Sequence, residues 1–325
     1  MIDIATIISI TLLYSGPLIY VALGGVLSEN GGVVNIGLEG MMTIGALVGA
    51  TVGYYSGNPW FAFLCGGLAG MGLSLLHAIA TINFAADHIV SGIAINLIGP
   101  GLSLFLAKLF FDGATLTKPI PLDNKLPKIM GGVISKLPDS QFKQVIRIIF
   151  EQHVTVYLAF LLVLVTYFIL YKTKLGLRIR SVGEHPLAAE TLGVNAYRIK
   201  YICVLASGFL SGLGGASMSL AVVSSFRDTL VSGQGFIALA AMIFGGWKPQ
   251  GAMYACLLFG AAQGLAVFLG SKGFNVDPNL LSMLPYIITL LVLVVFVKGV
   301  KAPSADGKPY ERSKWYIFIK SLRII

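Results

Sequence analysis

Two short polar stretches interrupt an otherwise apolar chain, and both carry residues able to meet a polar solute. In the first, Asn35 and Glu39 follow the glycine pair Gly31-Gly32, and a spacing of four puts them on one face of a helix. The paired glycines let the backbone break ahead of them. Broken backbone is tolerated at membrane depth only where it is buried in protein or lines a cavity. The stretch therefore reads either as a pathway-lining element or as an ordinary loop. The second, Ser232-Gly233-Gln234-Gly235-Phe236, precedes a short apolar run, 236–244, that ends at Gly245-Gly246-Trp247-Lys248-Pro249. Gln234 and Phe236 would offer an amide and a ring there. One interrupted segment in each half of a chain can point to a transport pathway. Asn83, Asp87 and Ser91 are also spaced by four, with His88 beside them. Caps and a solvated turn account for that group, although Ser91 and Asn96 remain candidates to line a path.

What is missing narrows the chemistry. There is no GxxxxGK[ST] phosphate loop, and no Ser/His/Asp, HExxH or paired-carboxylate arrangement. Ionisable groups inside the apolar runs are too few for the relay that a proton- or sodium-coupled carrier uses. Any energy for transport must come from another chain. Cys65, Cys203 and Cys256 are isolated, with no CxxC pair and no clustered histidines, so they read as small apolar fillers.

The elements that position these residues follow from composition. Of 325 residues 56% are hydrophobic and 11% charged, with a mean hydropathy of +0.84, whereas a soluble domain carries about 25% charged residues. Uncharged runs reach the roughly 20 residues a membrane helix needs. They lie at 4–28, at 40–86 divided by Gly57-Asn58-Pro59, and at about 88–111, 154–171, 201–223, 251–270 and 280–297. Counting 236–244, the prediction is an all-α polytopic membrane protein with about 8–10 transmembrane helices, short or broken near 29–40 and 232–247. A barrel is disfavoured because the runs are continuous rather than alternating. The first run lacks a basic flank and a cleavage site, so it reads as a retained span.

Residues 1–297 form the membrane domain and 298–325 a basic tail. Between 172 and 200 lie six basic and two acidic residues, and the tail is also basic. Both belong inside by the positive-inside rule. Sharing a side needs an even number of spans between them, which 236–244 completes if it crosses. Residues 112–153 then lie outside, with 142–150 suited to a helix on the membrane surface. A re-entrant segment near Asn35 would change the count by one, leaving the side of the N-terminus open. Gly45, Gly49, Gly53 and Gly57 form a smooth stripe, and Gly208 and Gly212 a second, fit for close helix packing or a subunit contact. Trp60, Trp247 and Trp315 sit at span ends, where an aromatic belt accounts for them.

The most specific local feature is the basic loop. Pro186 suits the first turn of a helix and Gly193 its stop, which leaves about two turns, marginal alone in water. The Ala-rich surface between them could dock on a soluble partner. This loop resembles the EAA-like coupling segment of ABC importer permeases, through Glu184, Ala188, Ala189 and Gly193, with Pro186 and Glu190 beside them. Together with residues 31–42, Ile89–Asn96, 183–197 and 235–251, it is similar to the nucleoside and simple-sugar permease family. The likeness is greatest to the shorter of the two permeases in bacterial nucleoside importers, and weakest in 112–153 and the tail. The five residues Val231–Gly235 look superficially like an ABC ATPase signature, but without a phosphate loop they are read as chance.

The resemblance implies a multi-pass permease of a bacterial inner membrane with a cytoplasmic C-terminus. It also implies a second, homologous permease, an ABC ATPase with two nucleotide-binding domains that holds the ATP and Mg²⁺, and an extracytoplasmic substrate-binding lipoprotein. No cofactor is expected on this chain. ATP-driven closure would pull on the 186–193 helix and tilt the spans. A nucleoside is the expected cargo, with ribose or galactose as the alternative and an ATPase-independent carrier or channel as the rival of another class. Where the family often carries a basic residue, near Asn30 and Gly246, this chain carries none, so no charge-based role is expected there.

Overall fold

The computed structural model describes residues 2–121, 125–134, 138, 140–272, 283, 287–288 and 301–310. Among them there are helices and no strand beyond one bridge between Lys128 and His153. The helices are α1 (Ile2–Asn30), α2 (Leu38–Ser56), α3 (Pro59–Ala78), α4 (His88–Phe110), α5 (Gly131–Ile134), α6 (Gln141–Phe150), α7 (Val154–Lys172), α8 (Lys174–Glu184), α9 (Pro186–Thr191), α10 (Ala196–Ser217), α11 (Gln234–Phe244) and α12 (Pro249–Ser271). Wider π turns extend α3 through Asn83 and α10 through Val222. Six of these helices, α1, α3, α4, α7, α10 and α12, are long and apolar enough to cross a membrane. The apolar run 280–297 and the tail beyond 310 lie outside the described residues, apart from Met283 and 287–288.

Local signals set the boundaries. The Asn58 side chain accepts from the N–H groups of Trp60 and Phe61, with Pro59 opening the first turn of α3. Asp87 caps α4 in the same way, at 2.8 Å from Ile89 N and 2.9 Å from Val90 N. Such caps satisfy amides that a helix cannot bond internally. One element departs from expectation. The stretch before Pro186 is helical as α8, whose buried Gly176, Ile179, Val182 and Gly183 recur at helical spacing. Its three basic residues, Lys174, Arg178 and Arg180, with Lys172 just before them, mask that stripe in the composition.

The core forms around α10, the most buried of the six spans. The predicted glycine stripes meet each other inside this chain. A Cβ at Gly45 would overlap the backbone of Gly212, and one at Gly70 would overlap the Gly208 carbonyl. Backbones in contact give dispersion attraction where lipid offers no hydrophobic drive between helices.

The two ends of the bundle are distinct. At one end Lys272 pairs with Asp3 at 2.8 Å, and Gln152 Nε2 donates to Ser9 Oγ at 2.7 Å, which ties 112–153 to the start of α1. There α6 exposes Phe142 and Phe150, as an interfacial helix would. At the other end the Gly183 backbone packs on the carbonyl of Asn30. The Ala305 N–H donates to Gly183 O at 2.9 Å, so the basic loop and the described part of the tail share this end.

Candidate functional site

The first polar stretch is a true break. After Asn30 the chain turns at Gly32, whose φ of +77° favours a residue without a Cβ, and α2 begins only at Leu38. The backbone between has no ladder, and unpaired peptide groups in apolar surroundings are costly. Side chains from four helices supply partners instead. Ser28 Oγ donates to Val33 O at 2.6 Å, and Lys200 Nζ donates to Gly32 O at 3.2 Å. His77 Nε2 bonds with Val34 O at 3.1 Å, and the Val34 N–H donates to His88 Nδ1 at 3.3 Å. Asn96 acts as a substitute peptide, accepting from Gly40 N and donating to Ile36 O, each at 2.9 Å. Asn35 closes its own turn through Gly37 N at 3.1 Å and donates to Ser207 Oγ at 2.9 Å. Ser91 Oγ holds His77 Nδ1 at 2.8 Å.

The second polar stretch meets the first. Helix α11 has 11 residues, about 16 Å at 1.5 Å per residue, roughly half of a 30 Å hydrocarbon core. Its unpaired N-terminal amides carry partial positive charge. The Glu39 carboxylate covers them, accepting from Gly233 N at 2.6 Å and Gly235 N at 2.7 Å. A Cβ at Gly235 would lie 2.6 Å from Glu39 Cα, so the close approach requires glycine. At the far end of α11, Trp247 Nε1 donates to Glu29 Oε2 at 2.5 Å, and Asn30 Nδ2 donates to Trp247 O at 3.0 Å. The first break thus holds α11 at both ends.

Of the candidate path residues, Asn35, Ser91 and Asn96 surround the first break, while Glu39 and Gln234 stand at the joint. Gln234 Oε1 accepts from Gln263 Nε2 at 2.9 Å. Phe236 is 47% exposed on α11. The aromatic-belt reading of Trp247 is corrected, because its indole N–H is committed to a carboxylate within the protein. Sequence reasoning also passed over His77, Lys200, Ser207, Glu29 and Gln263. A single polar residue in an apolar run was the available signal, but nothing in the sequence says which backbone groups such a residue will meet. The two positions where the family often has basic residues come together: Asn30 and Gly246 line one cleft of about 250 Å³ with Arg180, Glu184 and Lys301.

At the α8–α9 end the expected coupling residues divide. Pro186 opens α9, and Gly193 closes it with φ +82°, its N–H donating to Glu190 O at 2.9 Å. Ala189 is 3% exposed and packs on the bundle, whereas Ala188 faces outward beside the exposed Leu187 and Leu192. Glu184 is turned to the tail, accepting from Ser304 Oγ at 2.7 Å. The six-residue α9 thus leaves an apolar side uncovered among the described residues.

Comparison with known proteins decides the family. Residues 7–293 match the profile described as branched-chain amino acid transport system / permease component. The chain belongs to this family of ABC transporter permeases. The guanosine ABC transporter permease protein NupQ of Bacillus subtilis is 45% identical over 96% of this chain and 99% of the relative. The nucleoside ABC transporter permease protein NupC of Lactococcus lactis is 43% identical, over 95% and 97%. TsgC13, a permease protein of Haloferax volcanii named for glucose transport, is 32% identical over 95% and 98%. No solved structure matches this permease.

Proposed function

We propose that this permease forms half of the translocation path of a nucleoside importer. The observation that carries the reading is likeness along nearly the whole chain to permeases named for guanosine and nucleoside transport, at 45% and 43% identity. The chemistry of the breaks agrees with an uncharged cargo. Glu29, Glu39 and Lys200 are each engaged by groups of the protein, so these three charges are not free to select a charged cargo. Asn35, Glu39, Ser91, Asn96, Gln234 and Phe236 stay our candidates for its lining.

In this reading α8, α9 and residues 301–310 face the cytoplasm of a bacterial inner membrane. An ABC ATPase docks on α9 through Ala188, Leu187 and Leu192, and it binds the ATP and Mg²⁺ that this chain does not. A second, homologous permease completes the path, and a binding lipoprotein delivers cargo at the Asp3–Lys272 end. Closure of the ATPase moves α9, and packed helices with discrete arrangements pass the motion to the breaks.

The test is uptake by the complete complex in proteoliposomes, with labelled guanosine, uridine, adenosine, ribose and glucose. ATP-dependent uptake of nucleosides is expected. The likeness to TsgC13 makes a simple sugar the second reading, and sugar uptake without nucleoside uptake would replace the first. Flux through this chain alone without ATP would place it among self-contained carriers.

A further inference from the structure

Residues 301–310 were expected only as part of a basic tail, and the function described so far does not use them. Their contacts are nonetheless dense. Ser304 gives Glu184 Oε2 two hydrogen bonds, from its N–H at 3.2 Å and its hydroxyl at 2.7 Å. Ala305 N–H adds a third to Gly183 O at 2.9 Å. All three grip the last turn of α8, immediately before Pro186 opens α9. The next two residues reach the first break. The Asp306 carboxyl lies beside that of Glu29, its Oδ1 without a hydrogen-bond partner, and Gly307 packs against the Val34 side chain. Tyr310, 8% exposed, lays its ring 5.9 Å from that of Tyr197 and 5.5 Å from Lys200 Nζ, the ammonium that also holds Gly32 O.

Glu29 is the node of this arrangement. It accepts from Trp247, which follows α11, and it faces Asp306 from the tail. Two carboxyl groups in one buried place cannot both be charged without a large cost. Burial first, and then the Glu29 carboxylate beside it, hold the Asp306 carboxyl well above the usual range, with Lys200 opposing in part. That favours a protonated Asp306 able to donate to Glu29. Desolvated hydrogen bonds of this kind are strong and directional.

We infer that residues 301–310 form a latch that joins the docking end of α8–α9 to the first break and to α11, with Asp306 as its positioning residue. The segment makes α8, the break and the end of α11 move as one body, so that displacement of α9 reaches the half-length helix. The inference rests on the importer reading above and adds to it a component outside the membrane helices.

The test uses the complete complex in proteoliposomes, with Asp306→Ala and Asp306→Asn. For Asp306→Ala the complex should stay assembled and hydrolyse ATP, while nucleoside moved per ATP falls about tenfold, in the range of ordinary coupling energies. Asp306→Asn, whose amide can still donate to Glu29, should restore the ratio. Hydrogen exchange read over residues 31–37 should be faster in the alanine variant than in wild type and the asparagine variant. An unchanged ratio and unchanged exchange would overturn the latch. So would loss of the ATPase from the complex, which would make the segment a docking site instead, or an asparagine variant that behaves like alanine. The exchange measurement does not depend on cargo. A wild-type complex that moves no nucleoside yet shows the exchange difference would sink the cargo reading alone.

Discussion

Glu39 and Gly235 touch across the join of the two helix breaks: the carboxylate accepts the Gly235 N–H at 2.7 Å, with no room between the backbones for a Cβ. A carboxylate at the start of one helix thereby becomes the cap of another. Four measurements follow from this and related contacts.

Glu39→Gln removes the charge and turns an amide N–H toward backbone donors. Leaving a buried donor unmade costs about 1–3 kcal/mol, so the detergent-purified chain should unfold at lower temperature and transport less. Gly235→Ala should cost at least as much through overlap. Because both changes break one contact, the double variant should lose less than the sum of the singles. Full additivity in a thermal-unfolding cycle would show that the contact carries no stability.

Trp247→Phe keeps an aromatic ring and deletes the donor to Glu29. If Trp247 serves only a membrane-interface belt, the exchange is nearly silent. The clamp predicts a loss of about 1–3 kcal/mol, whereas Trp60→Phe, at a residue 46% exposed, should change stability little. Equal behaviour of the two variants would return Trp247 to the belt.

On α9 the two alanines should respond in opposite ways. Ala188→Glu places a charge on the outward face, so the chain should insert and fold normally while pull-down of the ATPase drops about tenfold or more, as for a lost interface anchor. Ala189→Glu forces a carboxylate into a site 3% exposed and should lower stability before docking is measured. Undiminished ATPase binding by Ala188→Glu would remove α9 from the interface.

Asn96→Leu deprives Gly40 N and Ile36 O of their partner together. With two backbone groups orphaned, the loss should reach about 2–6 kcal/mol, twice the penalty of one. Asn96→Asp still accepts from Gly40 and should fall between. Thermal unfolding of the three proteins side by side checks the order.

Much of this is legible in the sequence. Spans such as Val154–Lys172 and Pro249–Ser271 announce themselves because a helix in lipid must be apolar over its whole length. Both breaks were marked by glycine and by polar residues too close together for a span. Their meeting was not legible, since no local pattern in Gly233-Gln234-Gly235 names a carboxylate in the other half of the chain. Helix α8 was hidden by its basic residues, and Trp247 by a general rule about aromatics at interfaces. Ala188 and Ala189 are identical in type, so only packing could tell the outward residue from the buried one.

The cap on α11 also sets an order of events during synthesis. Glu39 and Gly233 are 194 residues apart, and Glu29 and Trp247 218. At about 5–20 residues per second, the first break emerges roughly 10–40 seconds before the helix that completes it. Through that interval the nascent chain holds Glu39 without the amides of Gly233 and Gly235. The N-terminal half therefore completes these contacts only after Gly235 and Trp247 have been made.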